Sequence, residues 1–186
     1  MGGWLCGSVF AMAFFAHIKQ KIAALLLRKK SSPFVRPALQ QDAPLLTALH
    51  AEGGFSSAWT LAEFEALLAD RAVIADVLCD PARPARVYGF SLSRSAAGEA
   101  EILTIVLSQA VRGRGWGRVL LSHHAVHLAS SGIATLYLEV EEDNRPARAL
   151  YERFGFETLG KRPGYYKKRD GTTANALIMR CRLDRL

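Results

Sequence analysis

The stretch R-G-R-G-W-G at residues 112–117 constrains this chain more than any other. Apolar sequence precedes it at 101–107 and resumes at Val119, so three glycines and two arginines interrupt what would otherwise be buried chain. Glycine lets backbone amides approach a ligand closely, and a helix that begins at such a loop presents unpaired N–H groups and a partial positive charge. An anion, phosphate above all, suits that place. A surface turn with incidental arginines is the other reading, and a glycine loop alone does not separate the two.

Strands and helices alternate around this loop. Phe34, Val35 and Arg36 form a first short strand ending at Pro37, and Asp42 is placed to cap a helix through about Ala51. Leu45, Leu46 and Leu49 form the buried stripe of that helix, and Gly53-Gly54 breaks it. Thr60-Leu61-Ala62-Glu63 is a capping-box pattern that opens a second helix, towards Ala69. Strands follow over 72–78, 86–93 and 101–107, with a turn at Ala97-Gly98. Then come a helix over 115–130, a strand over 135–140, and a helix from Asn144 or Arg145 to Gly155. Two last strands, 156–160 and 175–182, flank a loop holding Tyr165-Tyr166 and a turn at Asp170-Gly171. The pattern predicts an α/β chain with a central mixed β-sheet and helices on both faces.

Charge is segregated. Residues 1–36 carry six basic side chains and no acid, 37–160 carry ten basic and fifteen acidic, and 161–186 carry eight basic and two acidic. The net charge of +7 therefore hides an acidic middle between basic ends, which argues against direct nucleic-acid readout. Cys6, Cys79 and Cys181 are far apart, odd in number and without C-x-x-C or Cys/His ligand spacing. Neither a disulfide framework nor a zinc site is expected, and a cytoplasmic location fits. His123 and His127 share a helix face but lack the glutamate of H-E-x-x-H, so no metal is expected there.

Residues 1–33 read as an extension separate from a domain at 34–186. Its apolar run from Trp4 is cut by His17, Lys19 and Lys21, short of the ~20 residues that cross a bilayer. Its positive residues follow the apolar run, whereas a secretory signal places them before it. From Met12 onward, Phe14, Ile18, Ile22, Leu25 and Leu26 recur at helical spacing opposite His17, Gln20, Lys21 and Arg28. That is a basic amphipathic helix over 12–30, suited to weak contact with an anionic membrane surface. A poorly ordered tail, or a true start at Met12, fits the same residues.

Four features now stand in order: the strand at 101–107, the glycine loop, L-E-V-E-E-D-N at 138–144 and A-L-Y-E-R-F-G-F at 149–156. Together they resemble the GNAT superfamily of acyl-CoA N-acyltransferases. The pyrophosphate loop of that superfamily reads (Q/R)-x-x-G-x-(G/A), with N-x-x-(A/R)-x-x-L-Y-x-x-x-G-F further along. Within it, E-I-L-T-I-V-L, L-Y-L-E-V, N-R-P-A-R-A-L-Y-E-R-F-G-F and the late Y-Y-x-x-x-D-G are similar to the RimI-type ribosomal-protein alanine N-acetyltransferases. The likeness covers about 34–182 and leaves the extension outside it.

The resemblance implies the GNAT fold, a splayed strand pair at an acetyl-CoA site, acetyl-CoA as co-substrate and no metal. By position, Arg112, Gly113, Arg114, Gly115, Trp116, Gly117 and Arg118 would form the pyrophosphate loop. Ile105, Val106 and Leu107 would run beside the pantetheine arm, and Asn144 would reach it from the neighbouring helix. Glu139 aligns with the family's proton acceptor and Tyr151 with its proton donor to the coenzyme thiolate. Trp59 would shape the acceptor groove, and Tyr165 and Tyr166 would close over the acceptor's first residues. Taken without the resemblance, Glu139 also reads as a solvent-facing residue beside Glu141, Glu142 and Asp143. Tyr151 and Trp59 then read as core aromatics, and the tyrosine pair as packing for the last hairpin.

An amine must attack a thioester as a neutral nucleophile, and the departing sulfur benefits from a proton. An N-terminal α-amine, near ~7.7–8.0, needs only a modest base, whereas a lysine near ~10.4 needs far more help. The acidic cluster at 139–143 suits a cationic amine approaching the cleft. The expected activity is Nα-acetylation of a protein N-terminus by direct transfer, and the resemblance points to an N-terminal alanine of a ribosomal protein. A GNAT acting on a small amine or a lysine is the alternative enzyme. A catalytically silent acyl-CoA-binding module is the alternative of another class, and intact Glu139 and Tyr151 speak against it. The basic late loop, Lys167, Lys168 and Arg169, departs from the family pattern and bears on peptide specificity. Oligomeric state is left open by the sequence.

The extension generates its own test. The full chain is expected to co-sediment with anionic vesicles, more weakly as salt rises, and a chain beginning near Ser31 to lose that binding while keeping acetyl transfer. Equal vesicle binding by both chains would show that residues 12–30 are not the anchor.

Overall fold

The computed structural model describes residues 32–53, 58–167 and 171–185. The amphipathic segment at 12–30 and Asp170 lie outside the described residues. In chain order the elements are β1 (Phe34–Pro37), α1 (Ala43–Glu52), α2 (Leu61–Ala69), β2 (Val73–Asp80), β3 (Arg83–Ala96) and β4 (Glu99–Leu107). These are followed by α3 (Trp116–Ser130), β5 (Thr135–Glu141), α4 (Arg145–Phe154), β6 (Glu157–Lys167) and β7 (Thr173–Arg182). The strands form one seven-stranded sheet in the order β1-β2-β3-β4-β5-β7-β6. Every neighbouring pair is antiparallel except β4 and β5, which are parallel and joined through α3.

Alternation along the strands supplies both faces with apolar side chains. Val77, Cys79, Phe90, Leu92 and Val106 meet Leu46, Leu49 and Phe64 of α1 and α2 on one face. Ile102, Leu138, Val140 and Met179 meet Leu121 and Leu128 of α3 and Tyr151 of α4 on the other. The expected mixed sheet covered on both sides is therefore the architecture found.

Local signals account for most boundaries. Thr60 accepts from the Glu63 amide at 3.3 Å while Glu63 accepts from the Thr60 amide at 2.7 Å, a complete capping box. Ala97 and Gly98 both take left-handed φ, +51° and +80°, the two-residue turn that matches strand twist in a hairpin. Two expectations for α1 are corrected. Leu45 is 42% exposed, because Ala43, Leu46, Leu49 and His50 form the buried stripe instead. Asp42 does not cap α1 with its side chain, because its carboxylate accepts from Arg36 at 2.7 and 2.9 Å and from the Leu39 amide at 2.7 Å. A third correction concerns Tyr165-Tyr166, expected in a loop. Strand β6 runs on through them, with a bulge between Arg162 and Tyr166 that sets three residues against Asn175 alone.

Two irregularities in β4 position the site. Leu92 pairs with Thr104 and Ser93 with Ile102, which leaves Leu103 as an extra residue and bends the strand. Pairing between β4 and β5 covers only Glu99–Thr135 to Ile102–Leu138. Beyond Ile102 the two strands part, so one edge of β4 from Leu103 to Leu107 faces a gap instead of a neighbour.

Two histidines of α3, His124 and His127, serve packing. Asp76, Ser93 and His124 are all 0% exposed. His124 Nδ1 donates to Asp76 at 2.6 Å, its Nε2 lies 2.7 Å from the Ser93 hydroxyl, and His127 Nδ1 lies 3.0 Å from the same carboxylate. This is the hydrogen-bond order of a hydrolase triad, but sealed away from any acyl group, so it pins α3 to β2 and β3. Burial pushes the Asp76 carboxyl up, and the hydrogen bonds and charge of His124 and His127 outweigh it, leaving it below its ordinary range.

A carboxyl lowered by folding contributes stability that is present above its unfolded value, near ~3.9, and lost as pH falls through its folded value. Asp76→Asn is expected to destabilise the chain by about 3 kcal/mol or more at neutral pH. The gap from wild type should narrow on the acid side. Urea unfolding of both proteins at neutral and acid pH measures it, and equal midpoints at neutral pH would count against the role given to Asp76.

Candidate active site

The glycine loop enters α3 as the sequence suggests. Gly113 and Gly115 hold φ of +72° and +80°, where a Cβ is disfavoured, and nothing lies within 4 Å of the position a Cβ would take at either. Gly115 is the N-cap of α3 and no side chain caps this end. Among the described residues, the amides of Gly113, Arg114, Gly115, Trp116 and Gly117 find no acceptor. Gly117 serves packing: a Cβ there would stand 3.2 Å from Leu107 and 3.4 Å from Leu150. Arg114 and Arg118 are exposed beside the free amides. Arg112 turns back, its Nε donating to the Leu107 carbonyl at 3.1 Å, and Trp116 packs edge-on against Tyr88 at 5.4 Å. These two side chains shape the loop, while its backbone and Arg114 and Arg118 carry the positive field.

Leu107 ends β4 where it meets this loop, and Ile105 and Val106 lie along the open edge. Asn144 sits at the far lip of the gap as the N-cap of α4, its side-chain oxygen accepting from the Ala147 amide at 3.2 Å. Asn144 is exposed at this position.

Glu139 and Tyr151 stand on opposite faces of the sheet beside the gap. Leu138 and Val140 belong to the α3/α4 face with Tyr151, so alternation turns Glu139 to the α1/α2 face. Tyr151 is 8% exposed, packed against Phe156, and burial followed by the charge of Tyr166 pushes its hydroxyl up to about 12. Tyr166 is likewise pushed up to about 12, by burial and then by Glu139, and its hydroxyl lies 3.5 Å from the Glu139 carbonyl. Glu139 Oε1 accepts from Arg162 Nη1 at 2.6 Å. A hydrogen bond with Glu139, then its charge, raises the Tyr165 hydroxyl above its ordinary value.

On that same face Trp59 stacks on His50 at 4.8 Å and lines an open groove of about 440 Å³ with Glu63, Leu67, Asp70, Arg94 and Leu103. The bulge residue Leu103 thus forms part of the groove floor. Tyr165 is the more exposed tyrosine and meets Tyr166 edge-on at 5.2 Å.

Two charged residues escaped the sequence reading. Glu101, in register with Tyr137 across the last paired stretch of β4 and β5, adds its charge at Arg162 and Tyr165. Arg162 itself is brought to Glu139 from β6, two strands away, by a register that no local motif encodes.

The sequence profile of the acetyltransferase (GNAT) family matches residues 45–156. A ribosomal protein bS18-alanine N-acetyltransferase of Haemophilus influenzae is 37% identical over 98 residues, 53% of this chain and 66% of that protein. The chain thus spans slightly under two thirds of that relative's length. The crystal structure of the ribosomal-protein-S18-alanine N-acetyltransferase from Escherichia coli superposes with a TM-score of 0.73 at 26% identity, over 81% of this chain and 94% of that one. A spermidine N-acetyltransferase chimera from Vibrio cholerae and human sequences shares the fold alone, with a TM-score of 0.72 at 20% identity over 83% and 98% of the two chains. With a profile match over more than half its length, and the free-amide loop and parted β4 and β5 described above, the chain belongs to the GNAT acetyltransferase family.

Proposed function

We propose that residues 34–186 form an acetyl-CoA-dependent Nα-acetyltransferase domain acting on a protein N-terminus, with an N-terminal alanine of a ribosomal protein as acceptor. The observation that carries this reading is the pair Glu139 and Tyr151 on opposite faces beside one gap. The similarity to bS18-alanine N-acetyltransferases supports the choice of acceptor. Acetyl-CoA, when bound, supplies an activated thioester and a thiolate leaving group.

The residues present fit that co-substrate. The amides of Gly113 to Gly117 and the start of α3 suit a pyrophosphate, with Arg114 and Arg118 adding charge. The open edge of β4 at Ile105, Val106 and Leu107 offers backbone groups to an extended arm and to the oxygen on which charge develops. Asn144, at the start of α4 just after β5, is the residue that would reach the same arm from that side.

Glu139 accepts the proton of the acceptor amine on the face where Tyr166 lies 3.5 Å from its carbonyl, and the groove lined by Trp59 on the α1/α2 face would lead the acceptor in. Tyr151 works from the other face. A phenol raised to about 12 stays protonated across the physiological range, so it always has a hydrogen to offer the departing sulfur. A thiol near ~8.5 is the stronger acid, so Tyr151 steadies the thiolate chiefly by hydrogen bonding. The two cysteines among the described residues, Cys79 and Cys181, are buried, which agrees with direct transfer.

Gly115→Glu would set bulk and negative charge among the free amides. Acetyl-CoA affinity is expected to fall at least about tenfold, about 1.4 kcal/mol, by calorimetry on the folded variant. Unchanged affinity would remove the coenzyme assignment.

Glu139→Gln keeps shape but cannot take a proton, so turnover on an alanyl peptide should drop by ~10²–10⁴ with acetyl-CoA binding intact. That defect should shrink as pH rises past the amine's own pKa, near ~7.7–8.0, because the acceptor then arrives deprotonated. Tyr151→Phe should lose activity that high pH does not restore. Wild type should keep its tyrosine-dependent rate beyond about pH 10, where an ordinary tyrosine ionises. A pH–rate series on the three proteins decides it, and full activity of Glu139→Gln at neutral pH would move the base elsewhere.

A further inference from the structure

The carboxylate assigned to proton acceptance is already occupied. Arg162 Nη1 donates to Glu139 Oε1 at 2.6 Å, and the guanidinium lies over the Tyr165 ring at 4.3 Å. The bulge supplies the reason for this arrangement. Pro163, Gly164 and Tyr165 stand against Asn175 alone, Gly164 takes φ +64°, and its amide donates to Asn175 Oδ1 at 3.0 Å. Asn175 Nδ2 is in turn held by Glu142 at 2.7 Å, and Glu142 by Lys161 at 2.7 Å. The chain is thus pinned on both sides of Arg162, with Tyr165 folded back over the guanidinium.

We propose that Arg162 is a specificity-determining residue that admits amines carrying a carbonyl oxygen next to them and turns away polycations. The proposal rests on the Nα-acetyltransferase reading and names what enforces it. A guanidinium has five donors in a rigid fork, and a single one is spent on Glu139. When an α-amine takes its place beside Glu139, the displaced donors stay within the same cage and need an acceptor. The first peptide carbonyl of a polypeptide, two carbons from its amine, supplies one. A lysine side chain or a polyamine offers only methylenes at that distance. A polyamine also brings further positive charges against a fixed positive charge, the repulsive half of a specificity device. A site built to donate to an oxygen discriminates strongly against an acceptor that lacks it.

The test compares full-length wild type, Arg162→Gln and Arg162→Lys on an alanyl peptide and on spermidine. The half-exposed position of Arg162 favours folded variants, and thermal melts confirm it. For Arg162→Gln, peptide kcat/KM should fall at least tenfold, mainly through KM, with the KM for acetyl-CoA unmoved. Its spermidine kcat/KM should hold or rise, so the peptide-to-spermidine ratio falls more than tenfold. Arg162→Lys keeps the charge and loses the fork, so it should still reject spermidine while losing part of the peptide activity. A wild type that prefers the peptide, with an unchanged ratio in Arg162→Gln, overturns the role of Arg162 and leaves the N-terminal reading standing. A wild type that acetylates spermidine and leaves the peptide untouched overturns both.

Discussion

The extra residue at Leu103 is the constraint on which the rest depends. A strand that kept strict pairing with β3 and β5 along its whole length would leave no backbone group for a ligand. The bulge bends β4 after Ile102, pairing with β5 stops there, and a sheet interior becomes a cleft. Parallel strands joined by a helix make this possible, since α3 fills the connection and its N-terminus opens at the same end of the gap. The glycine loop adjoins the end of the open strand edge through the Arg112–Leu107 bond, and Glu139 follows the last paired residue of β5, Leu138, where β4 and β5 diverge. The same bulge puts Leu103 in the lining of the groove that also holds Trp59.

Elements with a local chemical cause were readable from sequence. The Thr60–Glu63 box, the Ala97-Gly98 turn, the Asn144 cap and Gly115 ahead of α3 each act over a few residues, and each lies where the sequence placed it. Long-range partners were not readable. Asp42 has the spacing of an N-cap, but Arg36 of β1 offers a charged fork, and a charge-assisted pair outcompetes one amide. Leu45 and Leu46 are adjacent and equally apolar, and the buried one is set by where the sheet lies. The extension of β6 through Tyr165-Tyr166 depends on β7 and on Asn175, thirteen positions after Arg162. The histidine face of α3 has metal-like spacing and packs on one buried aspartate from β2.

Electrostatics divides the site in two. On the α3/α4 side, burial dominates and keeps the Tyr151 hydroxyl neutral. On the α1/α2 side, Glu139, Glu101, Arg162 and Tyr165 form a charged cluster in which hydrogen bonding governs the raised Arg162 and Tyr165. A partly exposed carboxylate and a phenol sealed in a core are the environments that suit the roles proposed for Glu139 and Tyr151, proton acceptance and thiolate stabilisation. The sheet lies between these environments, and it is parted next to Glu139.

That parting also makes the sheet mechanically uneven. Strands β1 to β4 and strands β5, β7 and β6 are two panels whose shared hydrogen-bonded seam is the four register pairs from Glu99–Thr135 to Ile102–Leu138. Beyond that seam the panels are held by the apolar core under α3 and α4, which Ala100 and Ile102 of β4 share with Leu136 and Leu138 of β5. A ligand arm bridging the gap from β4 towards Asn144 would lengthen the seam, coupling the panels by mass action. Amide exchange at residues 99–102 and 135–138 is therefore a gauge of occupancy written into the backbone itself, independent of any turnover.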